Sequence, residues 1–533
     1  METGDNQNNM DKNYRRRAAV RSSAIFAGIA GLFVLVFCVS LFHWHTAERN
    51  RDIAAAERSA MMGLIESLTY DLPAALSNLP GTYEPISGML IENFAQINEI
   101  LEVSADADTV AREKAANLEK LAGLYAILGD FSNAVDCSRQ AVMLYGTLYE
   151  ATGAKDVLAD YTSSLNNLAA RLGEQGDYAE ADTILEIAIG LQKQIAADSP
   201  GHMADLGRYY HNIAANSIDR GDLWQAAKQA EESLSIIESL FKNGEPLLES
   251  EIIAICRTLG SCYDLLGEYG EADAALQKAL SIALEQIEIS NTRANRRTLA
   301  EAFSSLASNF SLWDKPEESL RYHLLAISHY KVLSEDADND DDLRDLAFAH
   351  MNFGVLLSNS RVYKDAQNQY VSALIIFGRL AEDGDPLAQA QYAAVYYALA
   401  DNALHGSAYR DARDWYDKSL ALYEPVAEAL ENTDLADFLA KRGYYKILFS
   451  SDYPAALIDS SRAMKLAPDS LIVRTTHAYA LMYNDEYDEF ATNIKWLTAQ
   501  GENVKQNIRK DLDILRAMGH EHPYMTRIET LLK

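Results

Sequence analysis

One short motif returns at near-constant intervals along this chain. It reads GDFSNA at Gly129–Ala134, GDYAEA at Gly176–Ala181, GDLWQA at Gly221–Ala226 and GEYGEA at Gly267–Ala272. Looser copies follow as DKPEES (Asp314–Ser319), RVYKDA (Arg361–Ala366), SAYRDA (Ser407–Ala412) and SDYPAA (Ser451–Ala456). The third residue of each copy serves as a marker: Phe131, Tyr178, Leu223, Tyr269, Pro316, Tyr363, Tyr409 and Tyr453, separated by 47, 45, 46, 47, 47, 46 and 44 residues. A degenerate ninth copy surrounds Tyr487, 34 residues on. Self-similarity at a fixed period of this size is the signature of stacked supersecondary units, none of which can bury its apolar face alone.

Two further registers lock to the marker. Nine residues before it stand Ala122, Ala169, Ala214, Gly260, Ala307, Gly354 and Ala400, with Tyr444 the one large residue among the eight. Ten residues after it stand Ala141, Ala188, Ser233, Ala279, Ala326, Ala373, Ser419 and Ala463. Two antiparallel helices joined by a tight turn approach closely only where neither carries bulk at the crossing. The pattern resembles the tetratricopeptide repeat over residues 111–500, whose small-residue positions these registers match. The usual unit of that family is about 34 residues. Proline falls 22 or 23 residues after the marker at Pro200, Pro246 and Pro386, against 15 at Pro468. The second helix is therefore expected to be longer than usual by about two turns, and the remaining few residues to lengthen the first helix or its connection. The resemblance implies an all-α solenoid of eight to nine helical hairpins and a non-catalytic, protein-binding role. Similar long repeats occur in bacterial signalling and scaffold proteins and in kinesin light chains.

Ahead of the repeats, Ala24–Trp44 is a run of 21 residues without a charge. As a helix it spans about 30 Å, the thickness of a bilayer's hydrocarbon core. The processing sites that would make it a removable signal are each defective: bulky Phe37 precedes Cys38, and apolar Leu41 and Phe42 follow Ser40. An uncleaved transmembrane helix over residues 22–45 is expected. Lys12, Arg15, Arg16, Arg17 and Arg21 in the basic tail 1–21 place the N-terminus in the cytoplasm. The solenoid then stands in the periplasm, on a bacterial inner membrane. Residues 46–110 read as a helical stalk and pre-repeat segment, and 501–533 as a capping segment. Ala24/Gly28 and Ala27/Gly31 offer small-residue faces through which the span or stalk could form a homodimer.

Charge limits the partners. Residues 1–45 carry a net +2 and the whole chain −31, so the remainder carries −33. Such a surface repels nucleic acid and anionic headgroups. No phosphate-binding loop, dinucleotide fingerprint, nucleophile elbow or zinc-protease motif occurs. No catalytic residue, cofactor or metal is expected. The acidic run Ser334–Asp345 lacks the glycine and terminal glutamate of a calcium loop and reads as a solvated connection. HEHP at His520–Pro523 likewise reads as a loop.

The candidate groove lies on the first helix of each hairpin. Eleven residues before the marker stand Asn167, Asn212 and Asn352, whose amides can both donate to and accept from an extended peptide backbone. In kinesin-light-chain-like repeats asparagine in this register does so, and the resemblance carries that role to these three; the residues by themselves read as structural or solvated amides, because the other copies carry Lys120, Thr258, Ser305, Ala398 and Arg442. The adjoining position holds His211, Arg257, Tyr397 and Lys441, with Asp401 nearby. Lys441 is followed at Lys-x-x-x spacing by Tyr445, where chaperone-tail clamps carry asparagine, so no chaperone-tail binding is expected. The function expected is a membrane-anchored scaffold binding a protein or peptide. The alternative is a regulatory or sensory arm of a membrane signalling complex.

Overall fold

The computed structural model describes residues 107–127, 130–244, 248–335, 340–383, 386–427 and 432–532. The expected transmembrane helix (22–45) and the stalk up to residue 106 lie outside them. No described helix is long and apolar enough to cross a membrane. Among the described residues all regular structure is helical, in two compact units. The first holds α1 (Ala107–Ile127), α2 (Phe131–Thr152), α3 (Lys155–Gln175), α4 (Tyr178–Gln192), α5 (Pro200–Asp219) and α6 (Leu223–Lys242). The second opens with α7 (Glu249–Leu266), α8 (Tyr269–Ile289), α9 (Arg293–Leu312), α10 (Pro316–Ser334), α11 (Asp340–Asn359) and α12 (Tyr363–Leu380). It continues through α13 (Pro386–His405), α14 (Tyr409–Tyr423), α15 (Asn432–Tyr445), α16 (Tyr453–Leu466), α17 (Leu471–Tyr483) and α18 (Tyr487–Thr498). It ends with α19 (Glu502–Ala517) and α20 (Tyr524–Leu531).

Every marker is the first residue of an even-numbered helix, and from Tyr178 onward the turn before it is one structure repeated. The residue two before the marker has positive φ: Gly176 (87°), Gly221 (80°) and Gly267 (78°), then Asp314 (56°), Arg361 (61°), Ser407 (62°), Ser451 (51°) and Asp485 (63°). The next N–H reaches back to close the first helix, as in Asp177 N to Leu172 O (2.8 Å), Val362 N to Leu357 O (2.8 Å) and Ala408 N to Ala403 O (2.8 Å). This is the helix-terminating motif that favours glycine. The looser copies keep the geometry while bearing a Cβ, at a cost of about 1 kcal/mol each. Replacing Arg361 by glycine should therefore stabilise the second unit by up to about 1 kcal/mol, measured as a higher urea midpoint at unchanged slope.

The small-residue registers are the crossings. Ala134, Ala181, Ala226, Ala272, Ser319, Ala366, Ala412 and Ala456, three after the marker, are all fully buried, and so are the residues ten after it from Ala141 to Ala463. Where serine replaces alanine its hydroxyl donates to a carbonyl of the facing helix. Ser233 bonds Gly207 O (2.7 Å), Ser419 bonds Ala393 O (2.8 Å) and Ser319 bonds Ala307 O (2.7 Å). The polar atom is thus satisfied at the closest approach, where a larger side chain could not fit. Tyr444, the exception in sequence, is displaced by a π-helical turn over Lys446–Ser450. The extra residue of that turn shifts the register by one. Gly443 takes the crossing, where a Cβ would lie 3.3 Å from Ala456 O.

The added length is divided about equally between the two helices, so the first takes more of it than the proline spacing suggests. α17 and α18, in the hairpin whose marker follows at the short interval, have 13 and 12 residues. α9 and α10 have 20 and 19. Beyond α18, Ile508, Leu512 and Leu515 of α19 and Met525 and Ile528 of α20 pack with Leu481, Ile494 and Leu497, covering the apolar side of the last hairpin.

Candidate partner-binding face

In the first unit the first helices of successive hairpins are tied to one another by polar side chains. The Arg112 guanidinium of α1 donates to Asp160 (Nε, 2.7 Å) and Asp156 (2.8 Å) of α3. Asn167 donates to Glu119 at 2.9 Å, and the Ser164 hydroxyl bonds the same carboxylate. Burial raises the Glu119 carboxyl above its usual range, against the opposing pull of these two bonds. Asn212 of α5 donates to Asn166 at 2.7 Å, and His211 beside it is half-buried. One amide N–H of Asn167 and one of Asn212 are thus bonded to the preceding hairpin.

The second unit repeats this cross-stitching. Arg257 of α7 pairs with Glu301 of α9, and Arg344 donates to Gln391 at 3.3 Å. Asn309 and Asn402, seven before their markers, donate to the marker carbonyl of the preceding hairpin: Tyr269 O (3.2 Å) and Tyr363 O (3.0 Å). Asn216 occupies the same register, seven before Leu223. Asn352 on α11 is exposed. It lies in the second unit, and Asn167 and Asn212 lie in the first.

The acidic run read as a solvated connection is corrected at one residue. Asp342, in the first turn of α11, is fully buried and clamped by Arg293 and Arg297 of α9. His520 of the HEHP stretch holds the C-terminal turn: its Nε2 lies 2.8 Å from Leu448 O and its Nδ1 3.1 Å from the Tyr453 hydroxyl. Among the described residues no three metal-ligating side chains gather. Burial pushes the Cys256 thiol up to about 12 and those of Cys137 and Cys262 to about 11, away from nucleophilic thiolate.

Four of the sequence-derived residues do come together, toward the C-terminal end of the second unit. Tyr397 on α13 stands edge-on to Tyr416 of α14, with centroids 5.1 Å apart. Lys441 of α15 lies 4.9 Å over the Tyr397 ring and 3.5 Å from Asp437. Tyr445 donates to Asp417 and packs near Tyr416 (6.2 Å). Asp401, one turn along from Tyr397, is 3.5 Å from His405 Nε2 and 43% exposed. A fifth residue, which sequence reasoning missed, arrives from α19. Asp511 accepts from the Tyr479 hydroxyl at 3.0 Å and the Tyr444 hydroxyl at 3.5 Å. No repeat register predicts it, because α19 lies outside the repeat.

Burial raises the Asp511 carboxyl to about 7, aided by the nearby Asp401 charge and opposed by its tyrosine bonds. The folded state therefore holds this proton more tightly than the unfolded chain. The corresponding stability is complete below an unfolded value of about 4 and is lost as pH rises toward 7. Asp511→Asn should become progressively more stable relative to wild type between pH 4.5 and pH 7.5, checked by urea midpoints across that interval.

A tetratricopeptide repeat family model matches residues 162–200, the stretch from mid-α3 to the start of α5. No curated protein matches the sequence. Among solved structures the chain is similar to a Rap protein complexed with competence and sporulation factor, at 14% identity over 74% of this chain and 99% of that one, TM-score 0.44. It is also similar to BtubC from P. vanneervenii, at 19% identity over 46% and 90%, TM-score 0.37. A third is Pseudomonas aeruginosa pilF, at 19% identity over 49% and 99%, TM-score 0.28. Scores of this size carry no inference about what the chain does. The family match falls on one hairpin of a pattern that repeats, turn for turn and crossing for crossing, through both units, and the chain is a tetratricopeptide repeat protein.

Proposed function

We propose that this chain is a non-catalytic scaffold that binds another protein through the first-helix face of its second unit. The observation that carries this is the gathering of Tyr397, Asp401, Lys441 and Tyr445 in partly exposed positions, on helices whose small-residue registers are fully used for packing. Aromatic rings flanked by charged groups are the composition of interaction hot spots. Asn167, Asn212, His211 and Arg257 serve the stacking of hairpins in this reading, and Asn352 is available for contact. The test is affinity capture from native membranes with wild type and with a variant carrying Tyr397→Ser, Asp401→Asn, Lys441→Gln and Tyr445→Ser. A partner retained by wild type and lost by a folded variant supports the reading. Equal retention by both refutes it.

The apolar run 24–44 is proposed as the tether, with the repeats on the periplasmic side of a bacterial inner membrane. A phosphatase reporter fused after Lys533 should be active in intact cells, and an inactive, stably expressed fusion would reverse the orientation. Exchanging the span for an unrelated anchor separates scaffold from sensory arm: a scaffold keeps its function, a sensor loses it.

A further inference from the structure

Past the first turn, every exposed residue of α7, α9 and α11 is uncharged, on a chain whose net charge is −31. Four of them are large and apolar: Leu265 on α7, Leu312 on α9, and Phe348 and Val355 on α11, between 40% and 60% exposed. Leu265 and Leu312 stand four before their markers, Val355 eight before and Phe348 fifteen before, spacings that fall on a single helical stripe. Ser261 and Ser308, eight before their markers, and Asn352 complete the stripe, and all three are exposed. Charges of the same helices pair across hairpins instead. Arg257 of α7 meets Glu301 of α9, and Arg297 of α9 meets Asp342 of α11.

Leu265 and Leu312 hold the same position on adjoining first helices, so one interhelical step separates them, about 8–10 Å. An extended ligand crossing these helices must repeat a face at that interval. A β-strand does so every second residue, about 6.7 Å, and a polyproline II helix every third, about 9.3 Å. Only the latter keeps step. We propose that this face holds a proline-rich, uncharged segment of the partner in polyproline II conformation, with an apolar side chain at every third position. This deepens the protein-binding reading above and rests on it. Charge selects the occupant. An ionised side chain set on this face gives up water and meets no counter-charge, and an acidic one is also repelled by the chain as a whole. Polyproline II forms no internal hydrogen bonds, so its carbonyls can accept from the Ser261 and Ser308 hydroxyls and the Asn352 amide. Its stiffness limits the entropy lost on docking.

The test uses three immobilised peptides of about twelve residues, built from Leu-Pro-Pro, Glu-Pro-Pro and Leu-Thr units. Retention of the full chain should be about tenfold higher on Leu-Pro-Pro than on either of the others. Changing Leu265→Ser and Leu312→Ser together should remove most of that difference. Ile375→Ser, on second helix α12, should leave it unchanged. All three positions are exposed, so the variants keep the fold, and equal urea midpoints verify it. Equal retention on Leu-Pro-Pro and Glu-Pro-Pro overturns the neutral face, and equal retention on Leu-Pro-Pro and Leu-Thr overturns the polyproline conformation. A loss in Ile375→Ser as large as in the double variant overturns the placement on first helices. Retention on no peptide overturns the inference as a whole. If a partner is still captured from native membranes by wild type and lost by the variant at Tyr397, Asp401, Lys441 and Tyr445, the protein-binding reading stands without it.

Discussion

Gly354→Leu should strongly destabilise the second unit, although on an exposed helix the same change is stabilising by about 0.8–1 kcal/mol through helix propensity. A Cβ alone at this position would meet Cε1 and Cδ1 of Tyr370 at 2.6 and 2.8 Å. Tyr370 is 3% exposed and packs with Ala366, Ala373 and Phe377, so its ring has nowhere to go. Overpacking on this scale costs about 3 kcal/mol, the upper end of its usual range, and outweighs the propensity gain. The sign of the change is thus diagnostic: a lower urea midpoint identifies a helix crossing, a higher one a merely tolerated glycine. Tyr370→Leu in the same chain should recover part of the loss, since it opens the space the new side chain needs.

Asp342→Ala is expected to be comparably damaging for a different reason. Its carboxylate is fully buried against two arginines of α9, and removing it strands their charges. Breaking a buried pair from one side costs about 3–5 kcal/mol. Because Arg293 and Arg297 are 38% and 32% exposed, water relieves part of this and the lower figure is the expected one, about 3 kcal/mol. Replacing the acid together with both arginines by leucine should cost much less than Asp342→Ala alone. Chemical denaturation of the two variants beside wild type would show it, and equal losses for Asp342→Ala and the triple variant would mean the clamp is not the source.

Volume was legible in the sequence, and polar geometry largely was not. Ala122, Gly260, Ala279 and Ala456 could be picked out because every hairpin must solve the same packing problem, so small residues recur in register. The turn was legible at Gly176 but hidden at Arg361, where only the marker spacing revealed a left-handed residue that is not glycine. Tyr444 misled because a π turn inserts one residue that no composition rule signals. Hydrogen bonds between hairpins, such as Arg112 to Asp160 or Asn309 to Tyr269 O, join residues 48 and 40 apart and recur in only a few copies, so no single register exposes them. Of the candidate face, Tyr397, Asp401, Lys441 and Tyr445 were found from their helix register. Asp511 and Tyr416 were not, because one comes from a helix outside the repeat and the other from a second helix.

The most direct test of partner binding through the first-helix face is site-specific photocrosslinking in intact membranes. A photoreactive residue at Tyr397 probes that face, and one at Ile375, which is 70% exposed on second helix α12, probes the other side of a hairpin. Both variants should be folded and equally abundant. The account predicts a discrete crosslinked partner from position 397 and none from 375. A partner captured from 375, with position 397 silent, would contradict it.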